Sequence, residues 1–133
     1  MLKLEIVTPE KRVLDAEVDS VTVTTATGEA AILPNHAPLI SALKPGILSY
    51  SAKGSTDRLA VSGGFVEVSD NSVTVLADTA ESAAEIDVAQ ARSDKDAADK
   101  ALAAVATASL TETEAARDAV EAASARLQLA GGR

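Results

Sequence analysis

Few side chains in this chain could do chemistry, and their spacing excludes most of it. His36 is the sole histidine, and there is no cysteine. A catalytic imidazole needs a nucleophile on one side and an orienting carboxylate on the other. No Ser/His/Asp or Cys/His set is suggested around His36; a small hydrolase would have to unite it with Asp57 or Glu67. One histidine without thiolates falls short of a metal ligand set. Ser62-Gly63-Gly64-Phe65 places two glycines after a strand, but the G-x-G-x-x-G spacing is missing and no helix follows. A bulge or tight strand connection is expected there, not a phosphate loop. Glu29, alone at a turn, reads as a solvated charge. The i,i+4 pairs Arg92–Asp96, Lys95–Asp99, Asp96–Lys100 and Arg117–Glu121 mark solvated helix faces worth a few tenths of a kcal/mol each; the sharper reading is a helix that binds a partner.

The elements that must carry these residues fall into two alphabets. Up to about residue 80 the chain is β-branched and broken by turns. Leu2–Val7 alternates apolar with mostly polar positions, as a half-buried strand does. Thr8–Lys11 reads as a turn. Further strands are expected at Val13–Ala16, Ser20–Thr24, Ala30–Leu33, Ile47–Ser51, Asp57–Val61, Phe65–Val68 and Val73–Leu76. Turns at Thr27–Glu29, Lys44–Gly46, Lys53–Thr56 and Ser69–Ser72 separate several of them. Turn signals roughly every 8–12 residues predict a small sandwich or barrel.

Beyond that point alanine and charge take over. Residues 80–130 hold 19 alanines and neither glycine nor proline, which favours helix. One stripe runs through Val88, Ala91, Ala98, Leu102 and Val105, a second through Ala116, Val120, Ala123, Leu127 and Ala130. Asp87 with Gln90 and Thr111 with Glu114 fit capping boxes, and Gly131 supplies a stop. The prediction is an antiparallel hairpin whose seam is mostly methyl groups. At roughly 25 cal/mol per Å² such a seam gains little from burial, so weak docking and a mobile hairpin are expected.

Acids outnumber bases 20 to 12, which argues against nucleic acid and anionic lipid as partners. The uncharged run Ala30–Leu43 is 14 residues long with two prolines, too short and broken to span a bilayer. The N-terminus has no signal-peptide core, so a soluble, complete, non-exported chain without direct membrane insertion is expected.

Four segments in this order closely resemble the epsilon subunits of bacterial F-type ATP synthases, counterparts of the mitochondrial delta subunit. They are Gly28-Glu29 with Ile32-Leu33-Pro34-Asn35-His36-Ala37-Pro38-Leu39, then Lys44–Ile47, then Ser62–Val68, then Val73–Glu81. The resemblance covers essentially the whole chain. It implies a β + α fold: an N-terminal β-sandwich of about ten strands over residues 1–83, then a C-terminal antiparallel α-helical hairpin over 84–133. It implies a central-stalk subunit with no active site of its own, coupling the catalytic head to the proton-driven membrane ring. The sandwich would sit on the gamma subunit and the ring subunits, with Glu29, Ile32, Leu33, Pro34, His36 and Leu39 at the interface. The extended hairpin would reach the beta subunits and inhibit ATP hydrolysis. The implied place is the cytoplasmic face of the bacterial inner membrane, peripherally attached. The bare residues leave a second reading open, a free-standing module that recruits a partner helix.

Some relatives bind ATP as a regulatory ligand through an Ile/Leu-Asp-x-x-Arg-Ala motif. The corresponding residues are Ile86, Asp87, Gln90 and Ala91, with Glu81 upstream and Arg92, Arg117 and Arg126 as basic groups. Gln90 stands where those relatives carry arginine, which removes a charge suited to phosphate. The resemblance therefore implies weak ATP binding at most, and no other cofactor. Around Arg117 and Arg126, the acids Glu112, Glu114, Asp118 and Glu121 should reduce attraction to an acidic partner segment.

Overall fold

The computed structural model describes residues 2–104 and 110–130, with the backbone alone for 110–112. Ten strands form two five-stranded sheets, followed by two helices. The strands are β1 Leu2–Val7, β2 Arg12–Val18, β3 Ser20–Thr25, β4 Gly28–Ile32, β5 Leu39–Ala42, β6 Gly46–Ala52, β7 Ser55–Ser62, β8 Phe65–Ser69, β9 Ser72–Leu76 and β10 Thr79–Glu81. A 3₁₀ turn at Ala83–Glu85 leads to α1 Val88–Ala104 and α2 Leu110–Ala130. The first sheet has the order β2-β1-β9-β8-β5 and the second β10-β7-β6-β3-β4. Every pairing is antiparallel except β1 with β9.

Alternation decides which side chains face the gap between the sheets. Leu2, Leu4 and Ile6 on β1, Val21 and Val23 on β3, Val66 and Val68 on β8, and Val73 and Val75 on β9 point inward and are buried. With Leu48, Leu59, Val61 and Ile32 they make one core. The polar residues between them face outward.

Three turns show why their residues are needed. Lys53 and Gly54 join β6 to β7 with φ of 51° and 82°, and Asp70 and Asn71 join β8 to β9 with φ of 49° and 59°. These are two-residue hairpin turns whose left-handed backbone suits Gly, Asn and Asp. Gly63 and Gly64 carry the chain from β7 in one sheet to β8 in the other. Both have positive φ, and a Cβ on Gly64 would lie 1.7 Å from the Leu76 carbonyl oxygen. The tight strand connection expected at Ser62–Phe65 is what forms.

Two strands went unread in the residues. β5 lies in the uncharged run between Pro38 and Pro45, where alternation is hard to see. β10 has only three residues. The Thr27–Glu29 turn is displaced: Ala26 and Thr27 turn, and Gly28 already pairs with Thr25. Thr25 Oγ1 donates to the Gly28 carbonyl at 2.6 Å and closes that turn. Glu29 is therefore on a strand, opposite Thr24, and remains exposed.

The hairpin docks on the second sheet through α2. Ile86, Ala91 and Leu129 form a small cluster with Ala60 of β7, flanked by Ile47, Leu127 and Ala130. Among the described residues, Ala123, Ala125 and Leu129 are the buried positions of α2. Of these only Ala123 was on the expected stripe, because α2 meets α1 on one side and the sheet on the other. Val88 stays 40% exposed. Asp87 caps α1 as expected, its Oδ1 accepting from Gln90 N–H at 3.0 Å, but the Gln90 side chain turns forward to Asp94 at 2.8 Å instead of back to Asp87. Thr111 lies inside α2 and not ahead of it. Its side chain and that of Glu112, with Val105 and Gly131, lie outside the described residues. Of the four expected i,i+4 pairs, Lys95–Asp99 alone closes among the described residues, at 2.8 Å. Among the described residues no helix is long and apolar enough to cross a membrane.

Candidate partner surface and hairpin junction

Two sites emerge from these elements. The first is the outer face of the first sheet together with the loop from Leu33 to Pro38, which carries the chain from β4 to β5. The second is the junction where α1, α2 and β10 meet.

The outer face follows from register. Val7 pairs with Leu76, Leu76 with Phe65, and Phe65 with Ala42. Four apolar residues thus form a row across β1, β9, β8 and β5. Phe65 is 57% and Leu76 52% exposed. A shallow groove lined by Val7, Pro9, Phe65 and Leu76 runs beside it. The next row reads Glu5, Thr74, Glu67 and Ile40, with Ile40 72% exposed. Large apolar side chains gathered on one face mark an interaction surface. The corresponding face of the second sheet lies under α2.

This row was missing from the expected interface, although a signal existed. In β8 the inward positions are Val66 and Val68, so Phe65 shares the outward register with Glu67. In β9 Val73 and Val75 point inward, so Leu76 shares it with Thr74. An apolar residue in the polar register of a strand is the readable mark.

The expected interface residues divide. Leu33 is 57% exposed, Pro34 and Glu29 are exposed and His36 is half-buried. Leu39 is half-buried against the core. Ile32 is fully buried in that core; it anchors the end of β4 and offers no surface, which corrects its place among interface residues. His36 N–H donates to the Leu33 carbonyl at 3.1 Å, and its Nδ1 donates to the Ala37 carbonyl at 2.7 Å. The imidazole thus serves its own loop. Asp57 lies on β7 and Glu67 on β8, in different sheets, and the hydrogen bond of the His36 ring goes to the Ala37 carbonyl and to neither acid. Among the described residues there is no group of three or more metal-ligating side chains.

At the junction the residues expected to hold a nucleotide hold each other. Arg126 of α2 lies between two carboxylates. Its Nη1 donates to Asp94 Oδ2 of α1 at 3.0 Å, and its Nη2 reaches Glu81 Oε2 of β10 at 3.5 Å. Arg126 Nε sits 2.8 Å from Glu81 Oε1 without aiming its N–H at it. That contact is ionic more than hydrogen-bonded. Gln90 reaches the same Asp94 from within α1. Ala91 is fully buried and Ile86 nearly so, so both serve packing. Arg92 and Arg117 are exposed and outside this network.

A second ion pair ties α2 to the sandwich. Lys44 Nζ donates to Asp118 Oδ1 at 3.0 Å. The accepting carboxylate raises the Lys44 ammonium above its ordinary pKa. Before α1, Glu85 Oε1 accepts from Ser82 N–H at 3.0 Å and Oγ at 3.1 Å. Those bonds, the backbone one first, hold its carboxyl below the usual value, with Lys11 adding a smaller pull.

Comparison with known proteins agrees with this architecture. The family model described as ATP synthase, Delta/Epsilon chain, beta-sandwich domain matches residues 1–83. An ATP synthase epsilon chain of Anaeromyxobacter sp. (strain K) is 47% identical over 131 residues, 98% of both chains. That of Nitratidesulfovibrio vulgaris (strain DP4) is 53% identical over 104 residues, 78% of each chain. Among solved structures, a chain of the Euglena gracilis mitochondrial ATP synthase (OSCP/F1/c-ring) superposes with a TM-score of 0.77 at 25% identity, over 96% of this chain and 79% of that one. A chain of the Tetrahymena thermophila mitochondrial ATP synthase central stalk and c-ring gives a TM-score of 0.56 at 17% identity, over 98% and 94%, and shows the fold alone. One match runs through the whole sandwich and another through sandwich and hairpin together: the chain belongs to the ATP synthase delta/epsilon family.

Proposed function

We propose that the chain is a non-catalytic central-stalk subunit of a bacterial F-type ATP synthase, coupling the catalytic head to the membrane ring from the cytoplasmic side. The observation that carries this reading is the asymmetry of the sandwich. One sheet spends its outer face on the hairpin, while the other leaves Val7, Leu76, Phe65 and Ala42 in an open apolar row. In this reading the row is buried against the gamma subunit. Leu33, Pro34 and His36, with Glu29, meet the polar loops of the ring. Support comes from the epsilon-chain relatives and from the F1/c-ring assembly of the Euglena neighbour. Co-purification tests it: Phe65→Ser with Leu76→Ser should leave the chain folded and cut its recovery with gamma at least tenfold. Undiminished recovery would remove the apolar row from the interface.

The hairpin is proposed as the regulatory element, reaching the beta subunits when extended. ATP is proposed to bind weakly or not at all. Gln90 is already bonded to Asp94, and Arg126 is flanked by two carboxylates that would repel phosphate. A charge-assisted bond contributes roughly 1.5–3 kcal/mol, so the missing arginine lowers affinity about ten- to a hundredfold. Calorimetry on the chain and on Gln90→Arg checks this. Micromolar binding by the unaltered chain, unimproved by the arginine, would show that other residues hold the nucleotide.

A further inference from the structure

The loop from Leu33 to Pro38 is steadied by a residue 36 positions further along the chain. Asn71, in the β8–β9 turn, accepts a hydrogen bond from Asn35 N–H on its Oδ1 at 2.6 Å. Its Nδ2 donates back to Asn35 Oδ1 at 3.5 Å. Both residues sit in the left-handed region, Asn35 with φ 66° and Asn71 with φ 59°. The Asn71 carbonyl also accepts from Lys3 N–H at 2.9 Å, which fixes the turn to β1. The path is continuous: sheet, turn, Asn71 amide, Asn35 backbone, His36.

The two demands on position 71 are separable. The turn needs a residue that tolerates positive φ, and glycine meets that need best. Asparagine adds an acceptor at the right distance for a neighbouring backbone N–H. The turn itself has no use for that amide, because its Oδ1 leaves the hairpin and grips the loop. The loop needs such a grip. Leu33, Pro34, Asn35, Ala37 and Pro38 are exposed. The apolar anchors Ile32 and Leu39 lie outside it on either side.

We propose that Asn71 is a positioning residue for the partner-facing loop: it sets the direction in which Leu33 and His36 are presented to the ring. This rests on the reading that the loop meets the ring. A loop held in its bound arrangement pays less ordering entropy on association.

Two substitutions isolate the effect. Asn71→Gly keeps the left-handed turn and deletes the amide. Asn71→Asp tolerates the same backbone and retains an Oδ acceptor for Asn35 N–H. In the full-length chain, Asn71→Gly should leave the thermal midpoint nearly unchanged and speed hydrogen exchange at the Asn35 and His36 amides. It should weaken binding to ATP synthase depleted of this subunit about five- to tenfold, and Asn71→Asp should restore most of that binding. Unchanged binding by Asn71→Gly, while Glu29→Ala with His36→Ala weakens it, would overturn the proposal and leave the loop's role standing. Binding unchanged in all these variants would overturn both. An Asn71→Asp variant as weak as the glycine would overturn the assignment of the grip to the Oδ1 acceptor, since both variants keep the turn and Asp lacks only the Nδ2 donor to Asn35.

Discussion

The sandwich and the hairpin are held by different physics. Among the described residues, the twelve largest fully buried side chains all lie between Leu2 and Val75. They meet each other across the sheets, where interlocking shapes leave one low-energy arrangement. The hairpin buries Ala91, Ala98, Ala123 and Ala125, and among the described residues Ile86 and Leu129 are its only larger buried side chains. What alanine does not supply, charge does: Arg126 bridges Glu81 and Asp94, and Lys44 holds Asp118. A shape-locked body resists its surroundings. An appendage held by ion pairs answers to salt, to competing ions and to partners. The contrast suits a subunit with one constant task and one adjustable one.

The largest expected effect tests the first half of that comparison. Leu4→Ala empties a fully buried site in the sandwich and should cost about 3–4 kcal/mol in urea unfolding. Leu129→Ala, at the hairpin contact, should speed amide exchange in α1 and α2 while shifting the sandwich's main transition little. If Leu129→Ala lowered that transition as far as Leu4→Ala does, the two regions would be one cooperative unit and the comparison would fail.

The next effect is smaller and sharpens the second half. Arg126→Met removes the guanidinium and leaves Glu81 and Asp94 without their shared cation. The site is partly exposed, so the docked hairpin should lose about 1–2 kcal/mol. Disulfide trapping between cysteines placed on α2 and β7 would read it as slower closure. Raising salt should slow closure in the unaltered chain and matter less in Arg126→Met, because screening acts on the pair already removed. Identical salt dependence in both chains would mean the ion pair does not hold the hairpin.

The fold was legible where one rule applied at a time. Strands with clean alternation, such as β1 and β9, could be read from the residues, and the alanine-rich tail announced its helices. β5 was hidden because its apolar run shows no alternation between two prolines. The interface of α2 was half legible: a single stripe finds one neighbour, whereas α2 has two, so Ala125 and Leu129 fell outside it. The candidate site followed the same pattern. Its loop was found by resemblance, but the apolar row was not, since Phe65 and Leu76 become neighbours only through strand pairing. No local pattern could have joined Asn35 to Asn71 or Arg126 to Glu81, because those contacts depend on the packed tertiary structure.

The smallest effect lies at the seam between the regions. Glu85 fixes the 3₁₀ turn that launches α1, accepting both Ser82 bonds on one oxygen. Those bonds hold its carboxyl below the ordinary 4.5. A carboxyl lowered by folding stabilises the fold above its unfolded value; that contribution fades as pH falls from 4.5 through the lower folded value. Glu85→Gln keeps an acceptor and removes the charge. At neutral pH it should slightly speed exchange of the Ile86 amide, which donates to the Ala83 carbonyl across the turn at 3.3 Å. The sandwich amides should not respond. On acidification the unaltered chain should converge on the variant, since both then carry a neutral side chain. A difference that persisted in acid would show that the shape of the glutamine, and not the lost charge, disturbs the turn.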